Sequence, residues 1–212
     1  MSNSTNSILV PIDNTEQTVI ALNQSYNLAR HTDSKIVLLS VEEEASFPAV
    51  QRKLAELARE AAAKSGQPVE TMIRKGNVYE QIHKVADILN PLVLMGITSK
   101  LSIGNALGKN AFKLVRESKS PVMTIRGRQA RSEYKTIILP LDLTKESREK
   151  VDRGIELARR FNSTVRVISV LTQTDEEAEN KLIAYSNQVW RYLRSHNIRS
   201  TVRTVRGNNP AQ

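Results

Sequence analysis

An internal repeat is the feature that most constrains how this chain folds. Residues 136–170 align without gaps on residues 7–41, so that Asp142 falls on Asp13. Each copy opens with a short apolar run, continues with apolar residues at helical spacing, and closes with a second apolar run. Self-similarity of this kind indicates that one structural unit is built twice.

The first copy continues as an alternation of apolar runs and amphipathic segments. The runs at 7–13, 35–41, 69–74, 92–95 and 122–125 predict strands, and the segments at 15–30, 47–64, 79–89 and 110–117 predict helices. This alternation favours a parallel sheet, because parallel strands need a crossover connection. The sequence therefore predicts an α/β fold, a doubly wound five-stranded parallel sheet with helices on both faces.

The repeat also predicts the domain organisation. We expect a complete first domain at 1–127, a polar linker at 128–133 and a partial second domain at 134–212. The second copy shows a helix pattern at 176–195 and a strand pattern at 200–205, but it has no counterpart of the first copy's later elements. We therefore expect either a truncated second copy, which we favour, or another chain that covers its open face.

Composition excludes several classes of protein. The chain has no cysteine, which excludes disulfides and thiolate sites and fits a reducing compartment. Because no leader pattern opens the chain and no apolar run approaches the ~20 residues of a membrane span, we expect a cytoplasmic protein that does not enter the membrane. The net charge of +9 comes from scattered basic residues without interleaved aromatic residues, so nucleic acid is a disfavoured partner.

Two residues at predicted strand ends could bind a small molecule, since open α/β sheets bind ligands beyond the carboxyl ends of their strands. Asp13 ends the first strand, where its carboxylate could accept hydrogen bonds from ribose hydroxyls. Val41 ends the second strand, where its backbone could recognise the edge of an adenine ring. The alternatives are that Asp13 caps the turn into the first helix and that Val41 belongs to the core.

A glycine loop follows the fourth predicted strand. It contains Gly96, Gly104 and Gly108, and it leads into a helix through Lys109 and Asn110. Backbone N–H groups at a helix N-terminus bind anions, so phosphates would lie there. The alternatives are that these glycines form plain turns and that Lys109 is a surface lysine.

Enzyme chemistry has little support in the sequence. His31, His83 and His196 each lie on or at the end of a predicted helix, without the Ser or carboxylate pattern of a catalytic triad. No metal-ligand spacing and no Walker loop occur. Trp190 and Tyr192, on the long helix of the second copy, are predicted to pack between helix and sheet.

These motifs together resemble the universal stress protein family. They are ILVPID with Asp13, LLSV with Val41, then KGNVYEQI, LVLMG, the loop to Gly108, and SPVMTI. The resemblance covers essentially the whole chain, as one complete and one partial domain. It implies a five-stranded parallel sheet with helices on both faces.

The resemblance also implies a nucleotide site. ATP-binding members carry the motif Gly-x2-Gly-x9-Gly followed by Ser or Thr. Gly96 matches the first glycine of this motif, and Ser99 stands where the second glycine belongs. Gly108 matches the last glycine but comes one residue early, and Lys109 stands where Ser or Thr belongs. The implied residues for ATP or another adenine nucleotide are Pro11, Ile12, Asp13, Val41, Met95, Gly96, Ser99, Gly108, Lys109 and Asn110.

In function and assembly, the resemblance implies a stress-response regulatory protein that is not an enzyme. It further implies a homodimer formed by antiparallel pairing of last strands, here residues 121–125, which begin at Pro121. Two alternatives stay open: a dimeric scaffold of the same family that binds no nucleotide, and a slow ATPase for which Asp13 is the one nominated residue.

Overall fold

The structure is a computed structural model, which describes residues 7–13, 15–43, 46–97, 113–126, 133–143, 146–171 and 176–206. The chain divides into two compact units, residues 1–132 and 133–212. Residues 127–132 lie outside the described residues, so the linker at 128–133 stays a prediction. Among the described residues, no helix combines the length and the apolar character that a membrane crossing requires.

The first unit contains the predicted five-stranded sheet. Its strands are β1 (Ser7–Ile12), β2 (Lys35–Val41), β3 (Val69–Arg74), β4 (Leu92–Ile97) and β5 (Val122–Arg126), and its helices are α1 (Glu16–Thr32), α2 (Phe47–Ser65) and α3 (Val78–Leu89). All strand pairs are parallel and the order is β3-β2-β1-β4-β5. Residues 113–117 are also helical, while 110–112 lie outside the described residues. The α/β fold prediction is confirmed.

Helices cover both faces of this sheet. The side chains of Leu9, Val37, Leu39, Val93 and Met95 form one core cluster with Ile82, Val85 and Ala86 of α3 and with Leu114. Because side chains alternate along a strand, the neighbouring positions face the other way. There α1 packs against α2, β1 and β4, and α2 packs against β2 and β3.

Gly96 has a different role from the predicted one. The fourth strand does not stop there; it continues to Ile97, and Gly96 pairs with Ile125 in β5. A Cβ atom on Gly96 would lie 2.1 Å from the carbonyl oxygen of Gln17 in α1. Glycine is therefore required because the α1 backbone crosses β4 at this position.

The second unit repeats the first three strands. Strands β6 (Thr136–Leu141), β7 (Thr164–Leu171) and β8 (Ser200–Arg206) are parallel in the order β6-β7-β8, with helices α4 (Glu146–Phe161) and α5 (Glu176–Ser195) between them. One face of the sheet packs on both helices through a cluster of Leu139, Leu141, Val151, Ile155, Ala158, Val165, Val167, Val189, Leu193 and Ile198. The prediction of a partial repeat fits this architecture.

The two aromatic residues predicted to pack between helix and sheet differ. Trp190 is half-buried and donates a hydrogen bond from Nε1 to the Ser200 carbonyl of β8 at 3.2 Å. Tyr192 is 43% exposed, and its hydroxyl lies 3.4 Å from Asp152 Oδ1 of α4. The packing prediction is therefore wrong for Tyr192, because its position on α5 faces solvent and α4 rather than the sheet.

Candidate functional site

A cavity of about 90 Å³ lies at the carboxyl ends of β1, β2 and β4, beneath α3. Strand order reverses between β1 and β4, because the chain proceeds from β1 to β2 and β3 on one side and returns to β4 on the other. This is the switch point at which open α/β sheets bind ligands. The lining residues are Pro11, Ile12, Asp13, Thr18, Leu39, Val41, Glu42, Val78, Tyr79, Ile82, Met95, Gly96 and Leu114.

The cavity brings together the predicted site residues that fall within the described residues, namely Pro11, Ile12, Asp13, Val41, Met95 and Gly96. The other predicted residues, Ser99, Gly108, Lys109 and Asn110, lie outside the described residues. The part of the prediction that concerns strand ends can therefore be compared with the cavity. The part that concerns the phosphate loop stays a prediction.

Asp13 holds the start of α1. Its Oδ1 accepts hydrogen bonds from Thr15 N at 2.9 Å, from Thr15 Oγ1 at 2.6 Å and from Thr18 Oγ1. Thr15 is the N-cap residue, and its hydroxyl accepts from Thr18 N at 3.3 Å. Asp13 thus supports the cap and also lines the cavity, so the two alternatives for this residue do not exclude each other. All three bonds end on Oδ1, which leaves Oδ2 as the second acceptor.

The cavity wall is mostly apolar. Leu39, Ile82, Met95 and Leu114 belong to the buried cluster, and Val41 packs against it. Such a slot suits a flat apolar ring, with polar groups only at its rim, which is the usual character of a small-molecule site. On the adjacent strand end, Ser40 Oγ donates to Glu42 Oε1 at 3.0 Å and holds that carboxylate.

The roof of the cavity was missed by the sequence reasoning. Val78 and Tyr79, in the first turn of α3, line the cavity. Tyr79 donates a hydrogen bond to Glu117 Oε2 at 2.5 Å, and the ammonium group of Lys113 lies 4.4 Å from the centre of its ring. The available signal was the apolar spacing of 78, 82 and 85, which places these residues on one face of a helix that starts at the ligand edge of the sheet.

Burial, followed by the hydrogen bond and the charge of Glu117, raises the pKa of Tyr79 to about 12. The hydrogen bond from this phenol to Glu117 links α3 to the helical residues 113–117. Among the described residues, no group of His, Asp and Glu side chains could hold a metal ion. The arrangement is one of binding groups around a slot.

Comparisons with known proteins agree with this architecture. The family model described as the universal stress protein family matches residues 5–126, more than half of the chain. A universal stress protein from Archaeoglobus fulgidus DSM 4304 superposes with a TM-score of 0.75 at 16% identity, covering 96% of this chain and 77% of that chain. A functionally unknown protein from Pseudomonas aeruginosa PAO1 superposes with a TM-score of 0.64 at 20% identity, covering 96% and 76%. No curated protein matches the chain.

Proposed function

This chain belongs to the universal stress protein family, and from that premise we propose that it is a regulatory protein whose first unit binds an adenine nucleotide. The observation that carries the proposal is the cavity at the β1/β4 switch point. Pro11, Asp13, Val41 and Met95 are all predicted site residues, and all four line this cavity. A cytoplasmic location stays a prediction.

In this proposal the adenine ring occupies the apolar slot. Val41, Ile82, Met95 and Leu114 line this space. A cavity of about 90 Å³ is small beside the roughly 300–1,000 Å³ of ligand pockets, so it accepts one ring system and leaves the rest of the ligand outside. A buried apolar slot stabilises a ring by removing its surface from water.

The ribose and the phosphates would lie at the rim. Asp13 Oδ2 would accept from a ribose hydroxyl while Oδ1 keeps its bonds to Thr15 and Thr18. The phosphates would extend toward the predicted loop residues Ser99, Gly108, Lys109 and Asn110. This last step rests on the sequence, because backbone N–H groups of a glycine loop at a helix start bind phosphate.

Titration calorimetry with ATP and AMP tests the proposal, with Asp13→Asn as the informative variant. The amide oxygen of asparagine can still accept from Thr15 and Thr18, so the cap is kept, while Oδ2 becomes a donor. Loss of one hydrogen bond to a charged group costs about 1.5–3 kcal/mol, so we expect affinity to fall roughly tenfold or more. Asp87→Asn, on the exposed side of α3 away from the cavity, is the matched control and should bind like the unmodified chain.

Three results would count against parts of this proposal. No heat of binding with either nucleotide would remove the nucleotide function and favour the scaffold alternative. Equal losses in the Asp13 and Asp87 variants would remove the ribose contact. Equal affinity for ATP and AMP would remove the phosphate role of the loop while leaving the ring pocket in place.

We also propose a homodimer through β5. Among the described strands, β5 pairs only with β4, and its side chains Val122, Met123 and Ile125 are half-buried. An edge strand of this kind offers unpaired N–H and C=O groups to a second copy. Sedimentation equilibrium should give a dimer that Met123→Lys dissociates and that Thr71→Lys, at an exposed position on the opposite edge strand β3, leaves intact. A monomeric unmodified chain would contradict this assembly.

A further inference from the structure

We propose that the second unit binds a phosphate group in a cavity at the amino-terminal edge of its own sheet. The cavity measures about 290 Å³ and lies where α4 turns into β7 and α5 turns into β8. Its lining residues are Ala158, Arg159, Asn162, Ser163, His196, Asn197, Ile198 and Arg199. This site is independent of the nucleotide pocket of the first unit.

The lining carries positive charge and no carboxylate. Arg159, His196 and Arg199 contribute two guanidinium groups and an imidazole, and Asn162 and Asn197 contribute amides. Arg199 is held in place, because its Nη2 donates to the carbonyl oxygen of Asn162 at 2.7 Å and to Asn162 Oδ1 at 3.1 Å. Arg159 makes no hydrogen bond or ion pair with another described residue, so its donors are free for a ligand.

Basic residues often lie at helix C-termini to satisfy carbonyl groups and to oppose the helix dipole. Here a backbone N–H group already donates to a carbonyl oxygen at the end of each helix. Ser163 N donates to Ala158 O at 2.9 Å, and Ile198 N donates to Leu193 O at 3.0 Å. Asn162 and Asn197 adopt the left-handed conformation that permits these bonds, with φ of 51° and 60°. Arg159 is thus not needed to satisfy these last carbonyls, whereas His196 Nδ1 lies 2.9 Å from the carbonyl oxygen of Tyr192 in the last turn of α5.

The internal repeat provides a comparison site that keeps one of the two arginines, because the counterpart of Arg159 is Arg30, whose Nη2 donates to the carbonyl oxygen of Lys64. In the second unit Val165 N donates to the carbonyl oxygen of Arg199, and in the first unit Ile36 N donates in the same way to the carbonyl oxygen of Pro68. Pro68 is therefore the counterpart of Arg199. The gapless repeat makes Asp33 the counterpart of Asn162. The first unit therefore has a carboxylate at this edge, which accepts from Gln67 Nε2 at 3.0 Å. That carboxylate opposes an anion, whereas in the second unit an amide replaces it and a second arginine, Arg199, is added.

The ligand chemistry follows from the donors. Guanidinium groups present N–H pairs that match the oxygens of phosphate, and two of them around one cavity favour a doubly charged oxyanion. The cavity is close to the lower end of the roughly 300–1,000 Å³ of ligand pockets, which leaves room for a small substituent on the phosphate. Free phosphate and a small phosphate monoester share this chemistry.

The test is a titration of the full chain with inorganic phosphate and with glycerol phosphate at constant ionic strength. The readout is the backbone amide resonances of Asn162, Ser163 and Asn197, so binding in the first unit does not interfere. We expect saturable shifts, with Arg159→Gln weakening affinity roughly tenfold through the loss of a charged hydrogen bond. Arg194→Gln, in the last turn of α5 but outside the cavity lining, should change affinity less than about twofold, because its guanidinium does not reach the cavity and solvent screens its charge.

A second variant places a carboxylate at position 162, as the first unit has at the equivalent Asp33. Asn162→Asp should abolish the shifts, and the left-handed backbone accepts it because Asp33 adopts φ of 50° at the equivalent position. Tighter binding of glycerol phosphate assigns the site to phosphate monoesters, and tighter binding of inorganic phosphate assigns it to the free ion. Shifts that do not saturate, or an Arg194 variant as weak as the Arg159 variant, would overturn the proposal.

Discussion

The two units begin with the same repeat, yet the first covers both faces of its sheet and the second, within its described residues, covers one. On the shared face the two agree: Val10 and its counterpart Leu139 are both buried under helices. On the other face they diverge, because Leu9 is 0% exposed whereas its counterpart Ile138 is 62% exposed. Similar apolar runs therefore form the strands in both units, but burial depends on what covers them.

The covering element in the first unit is α3, and the comparison shows that it also makes the ligand cavity. Val78, Tyr79 and Ile82 form the roof over the strand ends. The second unit has counterparts of the strand-end residues in Pro140 and Asp142, but residues 133–206, where described, include no helix equivalent to α3. The strand ends supply the polar groups and part of the apolar lining of this site, and α3 supplies its roof.

The amino-acid sequences of the strands also differ on this face. Val37 faces the α3 cluster, while its counterpart Arg166 is exposed. Leu39 is buried, while Ile168 is half-buried. A charge at the centre of this face reduces its apolar area, so the second unit tolerates exposure of the face better than the first unit would.

The largest expected effect is the difference in stability between Leu9→Ala and Ile138→Ala, which truncate counterpart side chains on this face. Leu9→Ala removes a fully buried side chain packed against α3, so it should lower the free energy of unfolding by about 2–5 kcal/mol. Ile138→Ala removes a side chain that is mostly in water and should cost less than about 1 kcal/mol. Urea unfolding measured by circular dichroism gives the first value, and the fluorescence of Trp190, the single tryptophan, reports the second.

A large loss in the Ile138 variant would break the comparison. It would mean that this face is covered in solution, since cavity formation requires neighbours around the removed atoms. Equal and small losses in both variants would instead show that α3 contributes little to the first unit's core.

Local patterns predicted the elements well because each depends on nearby residues. The bounds of β2, β3 and α5 agree with the predicted 35–41, 69–74 and 176–195, since apolar runs and helical spacing are set within each segment. Residues at strand ends could be predicted as site residues for a related reason. In a parallel sheet all carboxyl ends meet at one edge, so knowing the strands is enough to place Asp13 and Val41 together.

Features that depend on how distant elements cross could not be predicted. The tight contact between Gly96 and Gln17 arises where α1 passes over β4, and nothing near Gly96 in the sequence reports that distance. The same is true of Tyr79, whose hydroxyl bonds Glu117 on a separate helical segment. Asp13 could be predicted only in part. Its position at the end of a strand and before a helix suggested both capping and binding, but the sequence could not show that Oδ1 is the atom that serves the cap.

The smaller expected effect contrasts two buried glycines, one in each unit. Gly96→Ala would place a methyl group 2.1 Å from the Gln17 carbonyl oxygen, and backbone cannot move aside as a flexible side chain can. Overpacking of this kind typically costs about 1–3 kcal/mol. Gly154→Ala, within α4, meets only Leu139 methyl groups at 3.8 Å, which is ordinary contact. It should instead raise the free energy of unfolding by roughly 0.5–1 kcal/mol, because alanine favours a helix more than glycine does.

The two substitutions are expected to change the free energy of unfolding in opposite directions, and the internal repeat gives a reason to expect this. Ser25 is the counterpart of Gly154 in α1 and is fully buried, so a Cβ atom is already accommodated at that position in the first unit. Urea midpoints measured for both variants by circular dichroism and Trp190 fluorescence should move in opposite directions. If Gly96→Ala proved neutral, α1 would have to lie farther from β4 than it does here, and the cavity floor at Met95 and Gly96 would change with it. A destabilised Gly154 variant would show that α4 and β6 approach more closely than their counterparts α1 and β1, so that the shared face of the two sheets is not packed alike.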